Sequence, residues 1–148
     1  MNDKVKFTFI DLFAGIGGFH IAMHNLGGEC VFASEMDIHA RTTYEHNFKK
    51  TSPKLFNNNM FNDDIRKMNI SEIPDFDILV AGFPCQPFSI CGHKKGFEDS
   101  TRGTLFFNIC EIIKAHKPKV VLLENVKFIK HHDSGNTLKI ILESLIEM

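Results

Sequence analysis

An α/β fold on a mostly parallel sheet is what the sequence predicts, and three observations carry the prediction. Short, near-continuously apolar runs alternate along the whole chain with longer segments of helical periodicity. The first apolar run passes at once into a glycine-rich turn, as strand–turn–helix units do. The 148 residues, 43% of them hydrophobic, suffice for one domain with a real core.

FTFIDLF (7–13) reads as the first strand. AGIGGF follows, and Phe19, Ala22, Met23 and Leu26 recur at helical spacing until Gly27-Gly28 ends them. CVFAS (30–34) reads as a second strand, residues 39–48 as a helix and residues 55–60 as a weaker third strand. FDILVAGF (76–83) is the fourth. From Gln86 to Gly103 the chain is too long for an ordinary strand-to-helix connection and carries Gly92, Lys94, Lys95 and Gly96, which reads as a lid. A helix from about Thr104 to His116, the strand KVVLLEN (119–125) and an amphipathic helix near 136–147 complete the series. Strands without a polar face require helices on both sides of the sheet.

Several function classes are excluded or unsupported. The 17 basic and 18 acidic side chains nearly cancel, so a nucleic-acid partner must be argued from local chemistry and not from net charge. Cys30, Cys85, Cys91 and Cys110 form no C-x-x-C pair and no secreted disulfide framework, which points to a reducing cytoplasm. No apolar stretch reaches the length of a membrane helix, and MNDKVK lacks the apolar region of a signal peptide. His20 and His24 stand four apart on the first helix, but without an evident third ligand they read as solvated helix-face residues and not as a metal site.

In an open parallel sheet, ligands bind beyond the carboxyl ends of the strands. Those ends carry Gly15, Gly17 and Gly18, then Glu35, then Asp63-Asp64, then Pro84-Cys85, then Glu124-Asn125. Glycines there let the backbone approach a ligand, and an acid about 20 residues further on is placed to accept from ribose hydroxyls, so a nucleoside-containing cofactor is expected. The G-x-G-G spacing is not the dinucleotide fingerprint, and a plain tight turn has the same composition. Glu35 and Asp64 also fit as helix caps. A free cysteine is ordinarily a buried small hydrophobe, but the prolines around Cys85 and its polar loop oppose that role. Glu124 closes a VVLL run, so desolvation and a raised pKa are expected of it.

With those residues in view, the chain strongly resembles the DNA (cytosine-5) methyltransferases. The resemblance lies in FIDLFAGIGGF (9–19), the Glu35 of SEMD, NDDI (62–65), DILVAGFPCQPFS (77–89), GFEDSTRGTLFF (96–107) and KPKVVLLENV (117–126), in family order over nearly the whole chain. It implies a Rossmann-like S-adenosylmethionine-dependent methyltransferase fold and S-adenosylmethionine as methyl donor. Phe13, Ala14, Gly15, Gly17 and Gly18 would line the cofactor, Glu35 would hold the ribose hydroxyls, Asp64 with Ile65 would receive the adenine, and Leu105 would complete the pocket. Met36 stands where the family often has a large aromatic.

The resemblance also gives Cys85 a role. Carbon 5 of cytosine is a poor nucleophile, and a thiolate added to carbon 6 makes it enamine-like. Cys85 would be that thiolate, Glu124 would meet ring nitrogen 3, and Asn125 with the Pro84 backbone would position the base. The partner implied is double-stranded DNA with the target cytosine flipped out of the stack. Ser89, Lys94, Lys95 and Arg102 would meet its backbone. A place in restriction-modification follows from the same likeness.

Two departures from the family pattern stand out. Family members continue with an arginine segment, further strands, a target-recognition region and a last asparagine-bearing motif, so residues 1–148 are expected to form a partial catalytic domain, truncated after the fifth strand. The VVLL strand would then be an open sheet edge. Ser100 and Thr101 both intervene between GFED and Arg102-Gly103, one residue more than usual. The expected activity is methylation of DNA cytosine with a complementary chain or further sequence. The alternatives are a truncated or non-catalytic scaffold subunit and an RNA cytosine methyltransferase.

Overall fold

The structure, a computed structural model, describes residues 5–84 and 105–148. Its five strands are β1 (Phe7–Leu12), β2 (Gly28–Ser34), β3 (Phe61–Asn62), β4 (Ile78–Gly82) and β5 (Val120–Glu124). They form one parallel sheet in the order β3-β2-β1-β4-β5. The helices are α1 (Gly18–Asn25), α2 (Ile38–Phe48), α3 (Pro53–Asn57), α4 (Leu105–His116) and α5 (Asn136–Ile146). The chain steps outward from β1 to β3 and then returns to lay β4 on the other side of β1. That reversal opens a crevice at the carboxyl ends of β1 and β4, where α/β sheets place their ligands.

Alternate residues of β1 and β4 build two core layers, and β2 joins both, with a register shift opposite Phe9/Ile10 that sends Cys30 and Phe32 to opposite sides. Ile10, Leu12, Phe32, Leu79 and Ala81 pack with Phe106, Ile109, Ile112 and Ile141 of α4 and α5. Phe9, Cys30, Ala33 and Val80 pack on the other side with Met23, Tyr44, Phe48 and Leu55 of α1–α3. The amino ends of three strands are tied by Asp77, which accepts from Thr8 N at 2.9 Å and from Lys119 Nζ at 2.6 Å.

The order of elements agrees with the sequence reading, with corrections. Residues 55–60 are not a strand. Pro53 opens the short helix α3, whose Leu55 is buried, and the third strand is only Phe61–Asn62. Proline at the first turn of a helix costs nothing there, since its missing N–H would be unsatisfied anyway. Helix α4 is described from Leu105 onward.

Helix α1 turns a different face inward from the one its apolar spacing predicts. Ala22 and Leu26 are exposed, and His20 and Met23 are buried. His20 is thus a core residue and not a solvated one. Its Nδ1 meets Tyr44 OH at 2.6 Å, its Nε2 meets Ser52 Oγ at 3.0 Å, and its ring stacks on Phe48 with centroids 3.9 Å apart. Both ring nitrogens are partnered, which is the condition for burying an imidazole. Burial, helped by the neighbouring His24, lowers its pKa to about 4.

Strand β5 forms one edge of the sheet among the described residues, as the sequence predicts. Val121 and Leu123 pack against the α4–α5 layer, while Val120 and Leu122 on the opposite face are 50% and 41% exposed. Among the described residues no helix is long and apolar enough to cross a membrane.

Candidate functional site

The glycine turn after β1 is held by backbone geometry. Phe13 at φ 56° and Gly15 at φ 54° are both left-handed, and Ala14 N–H donates to the Ser34 carbonyl at the end of β2 (3.0 Å). Gly17, at φ 99°, caps α1, and a Cβ there would sit 2.0 Å from Cε2 of Phe48. Only glycine fits that closure. Above Gly15 and Gly18, in contrast, a Cβ would meet nothing within 4 Å. The turn therefore presents bare backbone to open space.

Glu35 follows β2 and faces this turn. Its Oε2 accepts from Gly15 N and its Oε1 from Asp37 N, both at 2.8 Å. Each carboxylate oxygen retains a lone pair, so a vicinal diol can still be received by both. Asp37 then caps α2 by accepting from His39 N and Ala40 N, which fixes where the helix begins. Met36, between the two acids, is 67% exposed.

After β3, Asp64 is 5% exposed and caps a short 3-10 turn, Ile65–Lys67. Oδ1 accepts from Arg66 N (3.0 Å) and Nε (2.9 Å), and Oδ2 from Arg66 Nη2 (2.8 Å). The Arg66 side chain holds the Asp64 carboxyl down at a pKa of about 2. Both the capping role and the ligand role read from the sequence are thus open to the same carboxylate. Ile65 is buried beneath it, and Leu105 enters the core layer at the start of α4.

At the end of β4, Phe83 is buried and Pro84 exposed. Asn125 donates from Nδ2 to the Phe83 carbonyl at 2.7 Å and accepts from Val126 N at 2.9 Å. The backbone leaving β4 is therefore anchored to the end of the neighbouring strand β5. Cys85, Ser89, Lys94, Lys95, Arg102, the lid expected over 86–103 and the Ser100-Thr101 departure lie outside the described residues.

Glu124 departs from expectation. It pairs in register with Gly82, and its Oε2 lies 3.3 Å from where a Gly82 Cβ would stand, with Phe19 Cε2 at 3.8 Å from the same point. Yet it is exposed. The α1–α3 layer covers β1 and β2 and leaves that face of the edge strand β5 bare, so the desolvation expected of Glu124 is not found.

Sequence reading missed three residues. Arg41 of α2 donates to the carbonyls of Glu35 (2.9 Å) and Phe61 (3.2 Å) and also to that of Asn62, tying the ends of β2 and β3 together. Arg66 grips Asp64. Asp11 of β1 is fully buried with neither oxygen in a well-formed hydrogen bond, and burial pushes its pKa well above the ordinary carboxylate value, the nearby His20 backbone N–H opposing the shift and the charge of Glu35 adding to it. A cation six residues after Glu35, or two after Asp64, looks like a solvated helix residue in a linear sequence. Only the fold brings those guanidinium groups back to the strand ends.

Known proteins match the chain over nearly its whole length. Residues 7–148 match the family model for C-5 cytosine-specific DNA methylase. The type II methyltransferase M.HpaII of Haemophilus parainfluenzae is 56% identical over 147 residues, covering 99% of this chain and 38% of that protein. M.HhaI of Haemophilus parahaemolyticus is 51% identical over 140 residues, covering 95% and 40%. A crystal structure of a Spodoptera frugiperda DNMT2 mutant superposes with a TM-score of 0.62 at 27% identity, over 93% of this chain and 40% of that one. The chain spans about two fifths of the length of these curated relatives. With the family model matched from Phe7 to the last residue and curated relatives more than half identical across nearly the whole chain, the chain belongs to the C-5 cytosine-specific DNA methylase family.

Proposed function

We propose that this chain provides the cofactor-holding and nucleophile-bearing part of an enzyme that methylates carbon 5 of cytosine in DNA. The observation that carries the reading is the glycine turn bonded to the Glu35 carboxylate, Gly15 N to Oε2 at 2.8 Å, beside open space. Bare backbone with a diol-ready acid fits the nucleoside of S-adenosylmethionine. S-adenosylmethionine, when bound, supplies an electrophilic methyl group.

Glu35 holds the ribose hydroxyls and Asp64 accepts from the adenine amino group. Phe13, Ala14, Gly15, Gly17, Gly18, Met36, Ile65 and Leu105 line the remainder. The Cys85 thiolate adds to carbon 6 of the flipped cytosine, and the displaced electron pair runs through the ring to nitrogen 3, which takes a proton from Glu124. The exposed Glu124 carboxyl is desolvated, and so favoured in its acid form, only when the base is seated against it. Carbon 5 is then electron-rich. Once it is methylated, transfer of its proton to a water molecule and return of the nitrogen 3 proton to Glu124 let the carbon–sulfur bond break, regenerating the thiolate.

The two cysteines among the described residues, Cys30 and Cys110, are unsuited to the role. Burial pushes the Cys110 thiol up to about 12, and burial likewise raises Cys30, so neither is a nucleophile near neutral pH. Asn125 fixes the backbone before Pro84-Cys85, and Ser89, Lys94, Lys95 and Arg102 meet the DNA backbone. The base-reading groups belong to sequence of the kind the longer relatives carry, in the same or a complementary chain. A cytoplasmic setting fits the free thiols.

Two measurements test the reading. DNA containing 5-fluorocytosine is expected to trap wild-type protein covalently, with the recognition part present, and Cys85→Ser to trap none. Capture by Cys85→Ser would overturn the nucleophile. Glu35→Ala is expected to weaken S-adenosylmethionine binding by on the order of tenfold or more, as loss of a charged hydrogen-bond acceptor does. Unchanged affinity would remove the ribose role.

A further inference from the structure

Asp64 is gripped by a guanidinium whose far side is not buried. Three N–H groups of Arg66 converge on its carboxylate, while the Arg66 side chain as a whole is 56% exposed. The same Nη2 that reaches Oδ2 lies 3.8 Å from Sδ of Met36. Met36 is itself 67% exposed and immediately follows Glu35. An exposed thioether and a flat cation thus stand together between the two strand-end acids.

We propose that Arg66 is a further cofactor-contacting and specificity-determining residue, its guanidinium plane joining Met36 as the platform for the purine ring and fixing Asp64 as an acceptor for the purine 6-amino group. The proposal rests on the functional reading above. If Glu35 takes the ribose and Asp64 the base edge, the ring crosses the region that Met36 and Arg66 occupy. A guanidinium stacks on an aromatic face, and here its orientation is already set by Asp64, so little freedom is lost on binding. Met36 adapts its unbranched thioether to the ring, which a rigid aromatic would do by shape alone.

The selectivity follows from a count of lone pairs. Of the four acceptor positions on an ionised carboxylate, Arg66 takes two on Oδ1 and one on Oδ2. One remains on Oδ2. It accepts a 6-amino N–H, and it repels the 6-oxo group of hypoxanthine, since two acceptors would face each other without a proton. Sites built on a buried hydrogen bond reject the mismatched group strongly.

The test is calorimetric titration of S-adenosylhomocysteine and S-inosylhomocysteine into wild type, Arg66→Ala, Arg66→Lys and Glu35→Ala. Wild type is expected to prefer the adenosyl compound by at least about tenfold. Arg66→Ala is expected to lose on the order of tenfold in adenosyl affinity and most of the preference, and Arg66→Lys, which keeps the charge but not the plane, to recover little of either. An unchanged affinity and preference in Arg66→Ala, with Glu35→Ala weakened, would overturn the role of Arg66 and leave the site reading standing. A Glu35→Ala protein that binds as wild type does, or a folded wild type that binds neither compound, would overturn the site reading and this proposal with it.

Discussion

Lowering the pH tests the buried histidine at the heart of the α1–α2 packing. His20 is fully buried, both ring nitrogens are engaged by Tyr44 and Ser52, and its pKa falls from 6.5 to about 4. The folded state therefore binds the proton less readily than the unfolded chain. Stability from this group is complete above pH 6.5, declines as the pH falls toward 4, and changes no further below. At about 1.36 kcal/mol per tenfold change in proton affinity, the loss is about 2 kcal/mol by pH 5 and about 3 kcal/mol by pH 4. Against a typical total of about 5–15 kcal/mol, that is a large fraction. Asp11 acts with the opposite sign, since its raised pKa favours the folded state as the pH falls, and Asp64 acts only below the ordinary carboxylate range. His20→Gln isolates the effect, because the amide keeps a donor and an acceptor but does not titrate. Urea unfolding of both proteins between pH 7 and pH 4 is expected to show wild type losing about 3 kcal/mol more than the variant. Parallel pH profiles would refute the reasoning.

Four further outcomes follow from the site. Gly17→Ala forces a left-handed alanine against the Phe48 ring, 2.0 Å from its Cε2, and is expected to cost about 2–5 kcal/mol in thermal unfolding. Gly18→Ala meets nothing within 4 Å, so it is expected to leave stability within about 1 kcal/mol of wild type while weakening S-adenosylmethionine binding, because the methyl enters the open space above the turn. Asn125→Ala frees the Phe83 carbonyl and is expected to slow covalent capture of 5-fluorocytosine DNA by roughly tenfold while leaving cofactor affinity unchanged, read by gel and by calorimetry. Arg41→Met removes the guanidinium that ties the ends of β2 and β3, and is expected to lower stability by about 2 kcal/mol and cofactor affinity with it, since Glu35 and Asp64 lose their common brace.

Much of the architecture was legible in the linear chain because parallel strands buried on both faces leave an unmistakable pattern. FTFIDL and ILVAG are apolar almost throughout, and their neighbours repeat at helical spacing, so element order and sheet type follow. The third strand was misplaced because a two-residue strand beside a five-residue helix carries no periodicity to read. His20 was misjudged for a related reason: its burial depends on Tyr44 and Ser52, which lie 24 and 32 residues away.

By itself the sequence determined the chemical inventory at the strand ends: the glycines, Glu35, Pro84-Cys85 and Glu124-Asn125, each after an apolar run readable as a strand, and Asp64, after a strand too short to read. Tertiary structure alone decided how those groups are held and how much water they meet. Glu124 is exposed because β5 is an edge that the α1–α3 layer does not reach, and Asp64 is kept ionised because a short turn folds Arg66 back onto it. Residue type is a local property, whereas solvation and hydrogen-bond partners depend on which distant segments the fold brings alongside.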